Sequence, residues 1–128
     1  MNCMSREKIP IPTEHDEQKA LFSWLAVMEH KYPELAFVFA VPLSAKRNPK
    51  TAQYMKSEGM KAGVPDIVIP IPRGNYHGMF IELKRKQGGK ASPEQLAWSV
   101  TLGNLGYYAI ICYGWDEARS EIENYLLL

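Results

Sequence analysis

Two apolar runs around a tight turn set the architecture of this chain. DIVIPI (66–71) and HGMFIEL (77–83) are rich in strand-favouring residues, and PRGNY between them carries a proline, a glycine and an asparagine. The pattern predicts an antiparallel β-hairpin. Three charges stand where it should bury itself: Asp66 opens the first run, and Glu82 and Lys84 interrupt the end of the second. A turn centred near Gly74 and Asn75 sets position 66 opposite about position 83. The charges then lie at one end of the hairpin. Glu82 and Lys84, two residues apart, share a face; Asp66 joins them only in the right register, since a one-residue slip turns it away.

Two carboxylates converging at a sheet end repel each other unless something positive lies between them. A hard divalent cation such as Mg²⁺ or Mn²⁺ takes oxygen ligands, commonly one or two carboxylates with water and substrate phosphate. Asp66 and Glu82 are the candidate metal ligands, with the Leu83 backbone carbonyl between the charges as a further oxygen. Lys84 is then placed to orient or activate a water, or to offset charge growing on a phosphate. Such a cation polarises the phosphoryl group and lowers the pKa of its water, which is the chemistry of phosphodiester hydrolysis. A plainer reading stands beside it: Lys84 pairs with Glu82 or Asp66 at a strand end, Asp66 is a turn residue, and such exposed pairs contribute little.

The rest of the chain supplies a sheet and its helices. Residues 1–12 lack an apolar period and read as a flexible N-terminal arm; residues 13–128 read as a single domain. Thr13 caps a predicted helix running to about Lys31, with Leu21, Phe22, Leu25 and Met28 at helical spacing. LAFVFAV (35–41) reads as a strand buried on both faces. Asn48 and Pro49 start a polar surface helix that ends near Gly59. Pro70 and Pro72 end the first hairpin strand or put it at an edge. Ser92 caps a helix, with Pro93 and Glu94 in its first turn, that reaches about Leu105. YYAIICY (107–113) is a strand, parallel to its predecessor if both share a sheet, and a helix closes the chain. The order α-β-α-β-β-α-β-α describes an α/β fold, a mixed central sheet flanked by helices.

Composition narrows the class. The chain has 128 residues, is 46% hydrophobic and 23% charged, and carries a net charge of +1, as a globular domain does. No apolar run is long enough to span a bilayer and the N-terminus lacks a signal-peptide core, so a cytoplasmic location is expected. Cys3 and Cys112 have no metal-binding spacing, nor do His15, His30 and His77. The bases gather in two segments, one holding Lys46, Arg47, Lys50, Lys56 and Lys61, the other Lys84, Arg85, Lys86 and Lys90. A near-neutral protein can present one basic face in this way, or the lysines are a solvated surface. Tyr76 in the turn could stack on a base, or is a surface tyrosine.

Taken together, Pro65-Asp66 and Glu82-Leu83-Lys84 resemble the PD-(D/E)xK nuclease motif. TEHDEQKALFSWL (13–25), AGVPDIVIP, YHGMFIELK, SPEQLAW and GYYAIICYGWDEA resemble its VRR-NUC branch, the virus-type replication-repair nucleases, over nearly all of the chain from Thr13 on. The resemblance implies a restriction-endonuclease-like fold, dependence on Mg²⁺ or Mn²⁺ and action on DNA. It further implies a homodimer cutting branched or flapped DNA such as Holliday junctions, encoded by a phage or prophage and acting in a bacterial host cell. It assigns Asp66, Glu82 and Lys84 to the catalytic core. Glu14 matches the first-helix glutamate, binding metal directly or through water, with Glu17 its rival; three or four residues separate Glu14, Glu17 and Gln18. The simpler role for these acids is to favour a helix N-terminus. Gln95 matches a glutamine near the site, or is an exposed first-turn residue. Relatives carry an Asn-Gly-Gly type of turn where this chain has Pro42-Leu43-Ser44-Ala45, so that loop departs from the pattern. Lys46, Arg47, Arg85 and Lys86 are candidates for DNA phosphate contacts, which position a duplex without reading it. An alternative of another class is a non-catalytic branched-DNA-binding module with a nuclease fold. A third is a protein-interaction domain in which the charges coincide by chance, predicting no salt-dependent DNA affinity.

Overall fold

A computed structural model of the chain describes residues 9–42 and 49–128. The described elements run α1 (Glu14–Met28), a 3₁₀ turn (Pro33–Phe37), β1 (Phe39–Ala40), α2 (Pro49–Ser57), β2 (Ile67–Ile69), β3 (Met79–Lys84), α3 (Pro93–Asn104), β4 (Tyr108–Tyr113) and α4 (Trp115–Leu126). The four strands form one sheet in the order β1-β2-β3-β4. Both pairs involving β2 are antiparallel and β3 runs parallel to β4. This is the expected mixed sheet. Among the described residues no helix is long and apolar enough to cross a membrane.

Alternation along β3 divides the molecule. Met79, Ile81 and Leu83 point into a core with Ile67, Ile69, Cys112, Leu21, Leu25, Ile122 and Tyr125, beneath α1 and α4. Phe80, Glu82 and Lys84 point to the other face. There α3 packs on β4, with the Ser99 hydroxyl 3.3 Å from the Ala109 carbonyl. Capping fixes both helices next to the charged end of the hairpin. Thr13 and Asp16 at α1, and Ser92 and Gln95 at α3, each form a reciprocal capping box that satisfies free backbone N–H groups.

Two expectations are corrected. LAFVFAV is not a doubly buried strand. Pro33 starts a 3₁₀ turn instead, only Phe39–Ala40 is strand, and Leu35 and Val38, three apart, are the buried residues. Phe37 and Phe39 are 71% and 50% exposed. A run of adjacent apolar residues hides this three-residue period. The first hairpin strand does end at the prolines, but it lies inside the sheet with β1 on its other side.

The second correction concerns register. Arg73 and Tyr76 bridge across Gly74 and Asn75, the expected turn, with Gly74 at φ 55°. A regular ladder from that bridge would set Asp66 opposite Leu83. Ile67 instead pairs with Ile81 and Ile69 with Met79. The segment Pro70-Ile71-Pro72 faces only His77-Gly78, so it carries one extra residue and behaves as a bulge. Burial decides the matter. The observed pairing keeps Ile67 and Ile69 on the core face with Met79 and Ile81, and the regular one would turn them out. Asp66, one residue before Ile67, therefore faces Glu82.

Candidate active site

The end of β3 gathers four ionisable groups. Glu82 is 3% exposed and Lys84 7%. Lys84 Nζ lies 3.6 Å from Glu82 Oε1 and 3.7 Å from Glu14 Oε1. Asp66 Oδ2 accepts the Leu83 N–H at 2.9 Å, which fixes its carboxylate across the hairpin. Burial, then the adjacent Asp66 charge, pushes the Glu82 carboxyl up to about 8. Burial also raises Asp66, opposed by its bond from Leu83. The two carboxylates resist ionising together, as like charges in one site do.

Gln95 reaches this group from α3. Its Oε1 accepts the Ser92 N–H at 2.9 Å within the capping box, which leaves Nε2 to donate to Glu82 Oε1 at 2.6 Å. The box that starts the helix thus also aims the amide. Glu82 Oε2 is buried without a hydrogen-bond partner. An oxygen of that kind is costly unless something else binds it.

The donors are hard oxygens, which suit Mg²⁺ or Mn²⁺. In β3 the even-numbered residues direct backbone groups at β4, as the Gly114 N–H to Lys84 carbonyl bond of 2.8 Å illustrates. Leu83 is odd-numbered, so its carbonyl points to the Asp66 side, where β2 has ended. Among the described residues no three His, Cys, Asp or Glu side chains form a ready metal cage. Two carboxylates, that of Glu82 with its Oε2 orphaned, and one carbonyl fit a cation that completes its shell with water and phosphate.

The two first-helix glutamates have separate surroundings. Glu14 is exposed and approaches Lys84. Glu17 is buried, and its Oε2 accepts the Trp115 N–H at 2.5 Å, at the first residue of α4. Glu17 thereby ties α1 to α4. A Cβ at Gly114, the N-cap of α4, would stand 3.3 Å from Glu17 Oε2 and 3.0 Å from Lys86 Cγ, and φ there is 90°. The sequence reading missed this link; the hint was a helix start at Gly114 with no side-chain cap of its own.

Of the basic candidates, Lys86 is exposed and Arg85 partly buried, its Nε without a partner. Lys46 and Arg47 lie outside the described residues, as do residues 1–8 of the N-terminal arm. His77 sits at the far end of β3, its N–H on the Gly106 carbonyl at 2.9 Å and its ring edge-on to Tyr107. Tyr76 packs edge-on against Tyr108, with ring centroids 5.2 Å apart, beside the core.

Comparison with known proteins settles the family. The model of the VRR-NUC domain matches residues 5–116. The chain belongs to the VRR-NUC family. A solved structure described as a VRR_NUC domain protein is similar, with a TM-score of 0.81 and 31% identity over 94% of this chain and 93% of that one. No curated protein matches the chain. The VRR-NUC membership makes the mixed sheet and its helices a nuclease-type fold.

Proposed function

We propose that this VRR-NUC domain is a Mg²⁺- or Mn²⁺-dependent DNA endonuclease that selects branched or flapped DNA, in the manner of a Holliday-junction resolvase. The supporting observation is the buried, partnerless Oε2 of Glu82 beside Asp66. Asp66, Glu82 and the Leu83 carbonyl would hold the cation, with Glu14 contributing directly or through water. Bound there, it would polarise the phosphoryl group and lower the pKa of the attacking water. The protein's own groups do the rest. Leu83 N–H and Gln95 hold the two carboxylates in fixed rotamers. Lys84 presents its ammonium to the phosphate oxygens, where charge grows during the reaction. Exposed Lys86, with Arg85, and Lys46 and Arg47 earlier in the chain, would bind the DNA backbone.

The test is a cleavage panel of duplex, flap, four-way junction and single strand, each with Mg²⁺, Mn²⁺ and excess EDTA. Cutting is expected on the branched substrates and only with metal. Full activity in EDTA would sink the metal mechanism, and tight junction binding with no cutting under any condition would favour the non-catalytic module.

We also propose a homodimer, since a junction offers two symmetry-related bonds. Leu96 and Val100 stand exposed one turn apart on α3, and β4 has no strand on its outer side among those described. Light scattering should give twice the chain mass; a monomer at assay concentration would contradict the proposal.

A further inference from the structure

A groove runs along α1, between that helix and the edge strand β1. His15, Gln18, Lys19 and Phe22 of α1 and Ala40 of β1 line a cavity of about 180 Å³. Positions 15, 18, 19 and 22 are three and four apart, so one face of the helix forms the wall. Two neighbours of its lining residues lead toward the candidate active site. Gln18 stands one turn after Glu14, whose carboxylate is 3.7 Å from Lys84. Val41, next to Ala40, donates its N–H to the Asp66 carbonyl at 2.7 Å. None of the five lining side chains has a part in the chemistry set out above.

We propose that the groove seats one unpaired nucleotide adjoining the phosphate that a cation at Asp66 and Glu82 would bind, an inference that rests on the nuclease reading. The lining carries what a nucleotide needs. Phe22, half-buried, offers a ring on which a base can stack; Gln18 offers both a donor and an acceptor to a base edge; Lys19, exposed, brings a cation to the backbone phosphate, with His15 beside it. The lining has no acid of its own to repel the phosphate. A paired base cannot enter without leaving its stack, and the cost of unpairing is least where DNA is already single-stranded. The groove therefore selects flaps, ends and junction crossings over intact duplex. Branch selectivity arises from a single nucleotide's seat rather than from recognition of the whole branch.

The experiment measures binding of fluorescein-labelled flap DNA in Ca²⁺, with one abasic residue moved stepwise along the strand near the branch. Wild-type protein should lose affinity about tenfold at one position, the scale of one lost base stack. Lys19→Glu and Ala40→Leu, one reversing the groove's charge and the other filling it, should bind intact flap DNA more weakly and show no further loss at that position. A flat scan in the wild type, or a full abasic penalty in both variants, overturns the groove. The cleavage panel separates the two ideas. Cutting with a flat scan rejects the groove and keeps the nuclease; a stepped scan without cutting does the reverse.

Discussion

Lys84→Ala should lower kcat on a branched substrate by about 10²–10³-fold, the loss typical of removing one preorganised transition-state donor. DNA affinity in Ca²⁺ should fall by about threefold at most, because exposed bases rather than this buried one carry the backbone contacts. The argument rests on where the ammonium is kept. Lys84 is nearly inaccessible, yet its two carboxylate neighbours lie at 3.6 and 3.7 Å, beyond tight hydrogen-bond range. A lysine placed only for stability would close on one of them. Lys84→Arg should not restore the rate, since a planar guanidinium is no substitute for a compact point charge. Retention of more than about a tenth of wild-type kcat by Lys84→Ala would remove it from the chemistry.

Glu82→Gln should abolish cleavage and, at alkaline pH, make the metal-free protein more stable. Glu82 titrates near 8 in the fold, against 4.5 for the ordinary group. A raised carboxyl pKa means the folded state binds its proton more tightly than the unfolded state does. The resulting stabilisation is complete below about 4.5 and lost as pH rises through about 8. Asp66 is shifted in the same direction, so the loss belongs to the pair. Melting of metal-free wild type should therefore move to lower temperature between pH 6 and about 8.5. A neutral amide at position 82 removes most of that slope. Mg²⁺ or Mn²⁺ should flatten it in the wild type, because cation binding favours the ionised carboxylates and releases protons. Melting curves across this range, with metal and with EDTA, decide the matter. A metal-free wild type whose melting point is level from pH 6 to 8.5 would contradict the carboxylate assignment.

Local signals proved readable where one residue type has one strong use. Thr13 and Ser92 announced their helices, and Gly74-Asn75 announced the turn. Two charges at i and i+2 on a strand had to share a face, and Glu82 and Lys84 do. Long-range effects were not readable. LAFVFAV hid its period because every residue in it is apolar. The link from Glu17 to Trp115 joins residues 98 apart in sequence and leaves no local trace. The register fell between these cases. Turn chemistry alone put Asp66 opposite Leu83, and only the burial of Ile67 and Ile69 in the assembled core shifted it by one.

That shift couples folding fidelity to the chemistry. The parity that buries Ile67, Ile69, Met79 and Ile81 also brings Asp66 to Glu82. A hairpin that formed one step out of phase would turn Ile67 and Ile69, each worth about 1.5–3 kcal/mol of burial, out of the core that Met79 and Ile81 keep. It would scatter the carboxylates in the same stroke. Misassembled sites are thus filtered out by the core before they can meet a substrate. The irregular Pro70-Ile71-Pro72 segment absorbs the mismatch at the far end of the hairpin, so the turn can keep its own geometry while the core proofreads the site.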